Sequence, residues 1–301
     1  MKSGAARPGG VAVVLLLASP LCWAANDRRD PDEIGNRDVG KGVNFYSLEK
    51  EIALGKQMAQ EVEREAKVVD DAVVAEYVNR LGQNLVRNSD AKVPFTFKVL
   101  GTDEVNAFAL PGGFLFVNAG LILEAGNEAE LAGVMAHEIA HVAARHGTRQ
   151  ATRARIGSMA SVPLLFTGGW TGYALYQAAG AAIPLGYLTF SRRFEREADM
   201  LGLQYMYKAG YDPTAFVDFF EKIESLERTQ PGVVARVFST HPMTSDRVRD
   251  TQKNMEMLRQ RPQYILNTSE FMNVQARLEM LESQGRRERP ESTRPELKRR
   301  D

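Results

Sequence analysis

The chain has 301 residues, with 38 basic and 38 acidic side chains and 44% hydrophobic content. That is an ordinary globular composition, sufficient for one large core or two small ones. A formal net charge of zero gives no field to steer a polyanion, which argues against nucleic acid as a partner.

Lys2 and Arg7 precede an apolar run from Val11 to Leu21, and Cys22-Trp23-Ala24 places small residues at the −3 and −1 positions of a cut after Ala24. Residues 1–24 therefore read as a secretory signal peptide. Roughly 11 apolar residues fall short of the 20 or so that a membrane span needs. Cys22 is the sole cysteine, and Leu21 is too large for the residue before a lipid-modified cysteine, so lipoprotein anchoring at Cys22 is not expected. Cleavage after Ala24 leaves a mature chain without cysteine, indifferent to an oxidising compartment, and the periplasm is the expected destination. Residues 25–45, polar and glycine-rich without apolar period, are expected to form a flexible N-terminal arm. Leu48, Ile52, Leu54, Met58 and Val62, and then the apolar residues between Val68 and Val86, recur at helical spacing. They predict two helices with a break near Val68 to Asp71.

Phe95 to Leu100 alternates as a strand, and Asn106-Ala107-Phe108-Ala109-Leu110 predicts another, turned by Pro111-Gly112-Gly113 into Phe114 to Val117. The expectation is a small antiparallel sheet, with an exposed edge at residues 106–113 on which an extended substrate backbone can add as a strand. A simple hairpin explains the same residues equally well. Asn127 with Glu130 reads as a capping box, and Gly147, after Arg145 and His146, as a stop. Between them lies an almost wholly apolar helix carrying His137-Glu138-Ile139-Ala140-His141. The four-residue spacing puts both imidazoles on one face, where they can share a zinc ion. Glu138, about 100° round the helix, is suited to be the general base of a hydrolysis without ligating the metal.

From Ile156 to Ser191 no charged residue or histidine occurs, but prolines and glycines divide the stretch. It is expected to cover the active-site cleft, with peripheral membrane contact as the alternative. Helices are predicted after Asp212-Pro213, from Ser245 to Arg259, and over residues 269–283, and a disordered charged tail over 285–301.

A hydrolytic zinc takes three protein ligands and leaves one position for water. Glu195 and Asp199 stand at i and i+4 on one helical face while Glu197 points away. Glu195 is therefore assigned to the metal and Asp199 to a supporting bond with a ligand imidazole. His146 reads as structural, a histidine near a helix C-terminus.

Asn106 to Gly113, His137 to His141, Glu195 to Asp199, and Ser239-Thr240-His241-Pro242 with Arg247 following occur in that order. With these motifs the chain resembles the zinc metallopeptidase family that contains HtpX, the CAAX prenyl protease and the BepA-like and LoiP-like periplasmic proteases. The resemblance spans roughly residues 45 to 260 and implies Glu195 as third ligand. It also implies a place for His241 beside the metal, either filling the open position in a latent state or stabilising the oxyanion, with Arg247 anchoring that loop. The BepA-like proteins resemble this chain only in their peptidase half, since no array of helical repeats is expected here, and HtpX and the CAAX prenyl protease carry genuine membrane spans, so the partners of those relatives are not implied.

The resulting expectation is an α+β, mostly helical zincin-type metallopeptidase domain over residues 46–284, with a small antiparallel β-sheet beside the metal helix. It binds one zinc per chain and acts on unfolded or misassembled envelope polypeptides. A noncatalytic assembly or chaperone-like factor with a structural or latent zinc site is the alternative.

Overall fold

The computed structural model describes residues 28–160, 190–229, 241 and 244–288. Helix α1 (Leu48–Glu65) begins where the Ser47 hydroxyl accepts the Lys50 N–H, and it buries Met58, Ala59 and Val62. Helix α2 (Ala72–Arg87) is capped by Asp71, which accepts the Val74 N–H. Its Val74, Tyr77, Val78, Leu81 and Leu85 recur at helical spacing on the buried face. The predicted break between these helices feeds the sheet: Val68 bridges Leu100, and the Val69 N–H donates to the Val99 carbonyl at 2.9 Å.

Strands β1 (Thr96–Leu100), β2 (Ala107–Leu110) and β3 (Phe114–Asn118) form a sheet of order β1-β3-β2. β2 and β3 pair antiparallel as expected, but β1 pairs with β3 in parallel, so the sheet is mixed rather than antiparallel. The glycine turn explains the difference. Gly112 and Gly113 take φ of 79° and 95°, and a Cβ on Gly113 would stand 2.1 Å from the Pro94 carbonyl oxygen. That close approach, with the Thr96 N–H donating to the Gly113 carbonyl at 2.8 Å, sets the start of β1 beside the start of β3.

After the short helix α3 (Ala119–Glu124) comes α4 (Glu128–Ala143), the central helix, in which every residue is buried. The Asn127 side chain accepts the Glu130 N–H at 3.0 Å, while Glu130 reaches back to the N–H of Gly126 at 2.8 Å. The stop differs from the expectation at Gly147. The chain reverses at Arg145, which takes a φ of 58°, held there by Nε to Glu51 Oε1 at 2.9 Å and Nη2 to the Tyr46 carbonyl at 2.5 Å. Gly147 lies inside the next helix, α5 (His146–Ala160).

Helices α6 (Arg192–Lys208), α7 (Thr214–Thr229), α8 (Ser245–Glu256) and α9 (Ser269–Glu288) complete the described chain. α6 lies along α4, and Gly202 permits the approach: a Cβ there would come within 2.9 Å of the His137 Cα. α9 runs on to Glu288, into the stretch expected to be tail; the remaining tail, the signal-peptide residues and most of 156–191 lie outside the described residues. Among the described residues no helix is long and apolar enough to cross a membrane.

The described part of the arm, residues 28–45, is docked rather than free. Arg37 is 1% exposed, bonded to Asp90 Oδ2 and Gln204 Oε1, each at 2.6 Å. Val39 enters the core, and the Phe45 N–H donates to Thr152 Oγ1 at 3.0 Å. Buried polar bonds, not an apolar stripe, hold this segment, which is why hydrophobic periodicity reads it as loose.

Candidate metal centre

One turn of α4 separates His137 from His141, and their Nε2 atoms stand 3.0 Å apart. From the first turn of α6, Glu195 brings Oε2 to 3.5 Å from the His137 Nε2 and Oε1 to 3.6 Å from the His141 Nε2. His241 places Nδ1 2.9 Å from Glu195 Oε1. One ligand atom from each of these four buried residues lies within 4.8 Å of every other. A tetrahedral ion bonded to nitrogen and oxygen at about 2.0–2.2 Å keeps its ligand atoms roughly 3.3–3.6 Å apart. The two imidazole–carboxylate spacings of 3.5 and 3.6 Å match that geometry, and the 3.0 Å between the imidazoles and the 2.9 Å from His241 to Glu195 are shorter by a few tenths of an ångström, so the cluster could hold a small divalent cation once it opens by that much.

Glu138 stands beside the cluster. Its Oε2 accepts the Ala109 N–H at 3.1 Å. Its Oε1 is buried without a hydrogen bond and lies 3.4 Å from the His241 Nε2.

Burial is the largest influence on each of these groups, and the neighbouring charges decide the outcome. For His141 burial prevails and drives its pKa well below the ordinary range, leaving the neutral imidazole that a metal requires. For Glu195 burial is overruled by His241, His137 and His141, which hold its carboxyl well below the usual carboxylate range. His137 is likewise carried against burial to about 9 by Asp199 and Glu195. Burial raises Glu138, which suits a group that must hold a proton transiently.

A second set of contacts surrounds the cluster. Asp199 Oδ1 lies 3.1 Å from the His137 Nδ1. The Arg247 guanidinium grips Asp199 with Nε to Oδ2 at 2.8 Å and Nη2 to Oδ1 at 2.6 Å. Its Nη1 lies 3.0 Å from Glu195 Oε2 and donates to the His241 carbonyl at 3.2 Å. The guanidinium thus lowers the Asp199 pKa against the pull of burial and ties the His241 loop to α6.

The sequence reading missed two members of the site. His146 Nδ1 lies 3.1 Å from the His141 Nδ1, and its Nε2 lies 3.3 Å from Glu197 Oε2. Phe194 stacks on the His146 ring and Phe190 on the His141 ring, both with centroids 4.2 Å apart. Glu197 does point away from Glu195 and Asp199 around α6, but it meets His146, which the reversal at Arg145 has swung behind His141. An arginine in the left-handed conformation leaves no sequence signal, whereas the histidine five positions after His141 is visible in the sequence, where its place near a helix terminus gives it only a structural role.

A buried His-Glu-x-x-His helix, joined by a glutamate from a second helix, defines the metallopeptidase class of site. The profile of Peptidase family M48 matches residues 72–255, and the chain belongs to that family. The beta-barrel assembly-enhancing protease of Escherichia coli (strain K12) is 30% identical over 83% of this chain and 52% of its own length. Its counterpart in Vibrio cholerae is 34% identical, over 82% and 52% respectively. Metalloprotease LoiP of Escherichia coli (strain K12) is 29% identical over 80% of this chain and 96% of its own length. The chain thus spans about half the length of the two beta-barrel assembly-enhancing relatives.

Proposed function

We propose that the chain is a zinc metalloendopeptidase that hydrolyses unfolded or misassembled cell-envelope proteins, with one zinc held by His137, His141 and Glu195. The carrying observation is the convergence of those three side chains, their facing atoms 3.0–3.6 Å apart, beside a buried Glu138 Oε1 that has no hydrogen bond. Zinc supplies Lewis acidity, lowering the pKa of water towards neutrality and polarising a carbonyl.

The chain's own residues supply the rest. Glu138 takes a proton from the attacking water at Oε1 and hands it to the leaving amine, while its Oε2 stays fixed on the Ala109 N–H. Asp199 orients His137, and Arg247 holds Asp199, Glu195 and the His241 loop in register. β2 carries the substrate. The Asn118 N–H bonds to the Asn106 carbonyl, so the Ala107 and Ala109 backbone groups point the other way, and Ala109 points at Glu138. A substrate strand added at this edge pairs with Ala107 and the Ala109 carbonyl, the Ala109 N–H being taken by Glu138 Oε2, and so lies next to the base.

His241 supports a second reading. Its ring nitrogens sit 2.9 Å from Glu195 Oε1 and 3.4 Å from Glu138 Oε1, within the ligand cluster rather than beside it. This arrangement favours a latent state in which His241 fills the position water needs. In the active state the same imidazole stabilises the oxyanion. His241→Ala then raises basal proteolysis if latency dominates and lowers it if oxyanion support does.

The envelope role draws on the relatives' names and on the signal-peptide reading of residues 1–24, which together favour the periplasm. Glu138→Gln is expected to keep its metal and lose at least about 100-fold in cleavage of casein. Undiminished cleavage contradicts the proposal. Complementation of a deletion by the inactive variant identifies a noncatalytic assembly factor instead.

A further inference from the structure

We infer that His146 and Glu197 are positioning residues that fix the ring of His141 through a two-step hydrogen-bonded chain. The inference rests on the metal reading proposed above.

Two imidazole nitrogens 3.1 Å apart share one proton, so one donates and the other accepts. The His141 Nε2 faces the ligand cluster and must present its lone pair there, which leaves the His141 proton on Nδ1. That proton points at the His146 Nδ1. His146 then keeps its own proton on Nε2, where Glu197 Oε2 lies at 3.3 Å. A carboxylate can only accept, so the direction of the whole chain is set at its far end. Glu197 is itself held by Arg28 Nη1 at 2.5 Å and Arg149 Nη1 at 3.8 Å. The Phe194 ring, stacked on His146, fixes the plane in which the relay lies.

Helix α6 therefore supplies one ligand and two supports. Asp199 meets His137 directly. Glu197, on another side of the helix, reaches His141 only because a second imidazole spans the gap. Such outer contacts set ligand orientation and basicity, and losing one costs metal affinity without removing a ligand.

The test is zinc affinity of the purified full chain, measured by competition with a chromophoric chelator. His146→Leu is expected to weaken binding roughly 10–100-fold. His146→Asn, whose amide oxygen sits near the place of Nδ1, is expected to restore it to within a few-fold of wild type, and Glu197→Gln to fall between. Unchanged affinity in His146→Leu, or no rescue by His146→Asn, overturns the inference. Should the leucine variant not fold, 15N NMR of the histidine-labelled, zinc-loaded wild type decides, since only four histidines are present. A proton on the His146 Nε2 is expected, and a proton on its Nδ1 overturns the inference. A wild type that binds no zinc refutes the metal reading first, and this inference with it.

Discussion

Glu195 and Asp199, four residues apart, are two buried carboxylates that repel each other, and Arg247 is the cation that makes their proximity tolerable. Asp199→Ala would leave that guanidinium half paired and His137 without its carboxylate. The expected cost is about 3–5 kcal/mol in chemical denaturation and roughly 10–100-fold in zinc affinity. A second prediction concerns pH. Because Asp199 and Glu195 raise His137 to about 9 in the metal-free protein, protonation there stabilises the fold fully below the ordinary histidine range. That stabilisation is lost as the pH climbs through 9. Metal competes for the same lone pair, so apparent zinc affinity should rise by up to roughly tenfold per pH unit towards that value and level off above it. A flat profile from pH 6 to 9 contradicts this. At this scale the sequence was most readable: spacing alone gives the shared face of His137 and His141 and that of Glu195 and Asp199. His241 was reachable only through the family resemblance, because no helical period connects it to the cluster.

The elements that carry these residues owe their spacing to small side chains. A Cβ at Gly202 would stand 2.9 Å from both the Cα and N of His137, backbone atoms that cannot swing aside. Gly202→Ala should therefore displace α6 from α4, costing about 1–3 kcal/mol and lowering zinc affinity although no ligand is touched. Gly147→Ala is the contrast. Its Cβ would meet only the Pro111 Cγ, at 3.4 Å, and helix α5 should gain about 0.4–1 kcal/mol. Equal effects of the two substitutions in thermal melts would contradict the packing argument. Periodicity identified these helices and strands, since each buries a face at its own period. It missed the parallel pairing of β1, which depends on the long-range contact of Gly113 with Pro94, and it misplaced the end of α4, which depends on Arg145 finding Glu51 and Tyr46.

Across the whole molecule, the polar N-terminal segment belongs to the fold. Arg37, buried between Asp90 and Gln204, ties it to α6 and to the loop after α2, and Arg28 carries the connection on to Glu197. Residues 28–71 lie ahead of the stretch matched by the family profile, yet through Arg28 they reach the surroundings of the candidate metal site. Arg37→Ala would leave Asp90 buried without a cation, its carboxylate accepting only neutral donors, the Tyr205 hydroxyl at 2.9 Å and the Gly35 N–H at 2.8 Å. The expected loss is about 3–5 kcal/mol, seen as a lower denaturation midpoint with an unchanged cleavage pattern. The most direct test of the central claim, one hydrolytic cation gathered by α4 and α6, is anomalous diffraction at the zinc edge from crystals of proteolytically active protein. A single peak per chain is expected at about 2.0–2.2 Å from the His137 Nε2, the His141 Nε2 and a carboxylate oxygen of Glu195. A peak away from these three side chains, or none in protein that still cleaves casein after exhaustive chelation, would contradict that claim.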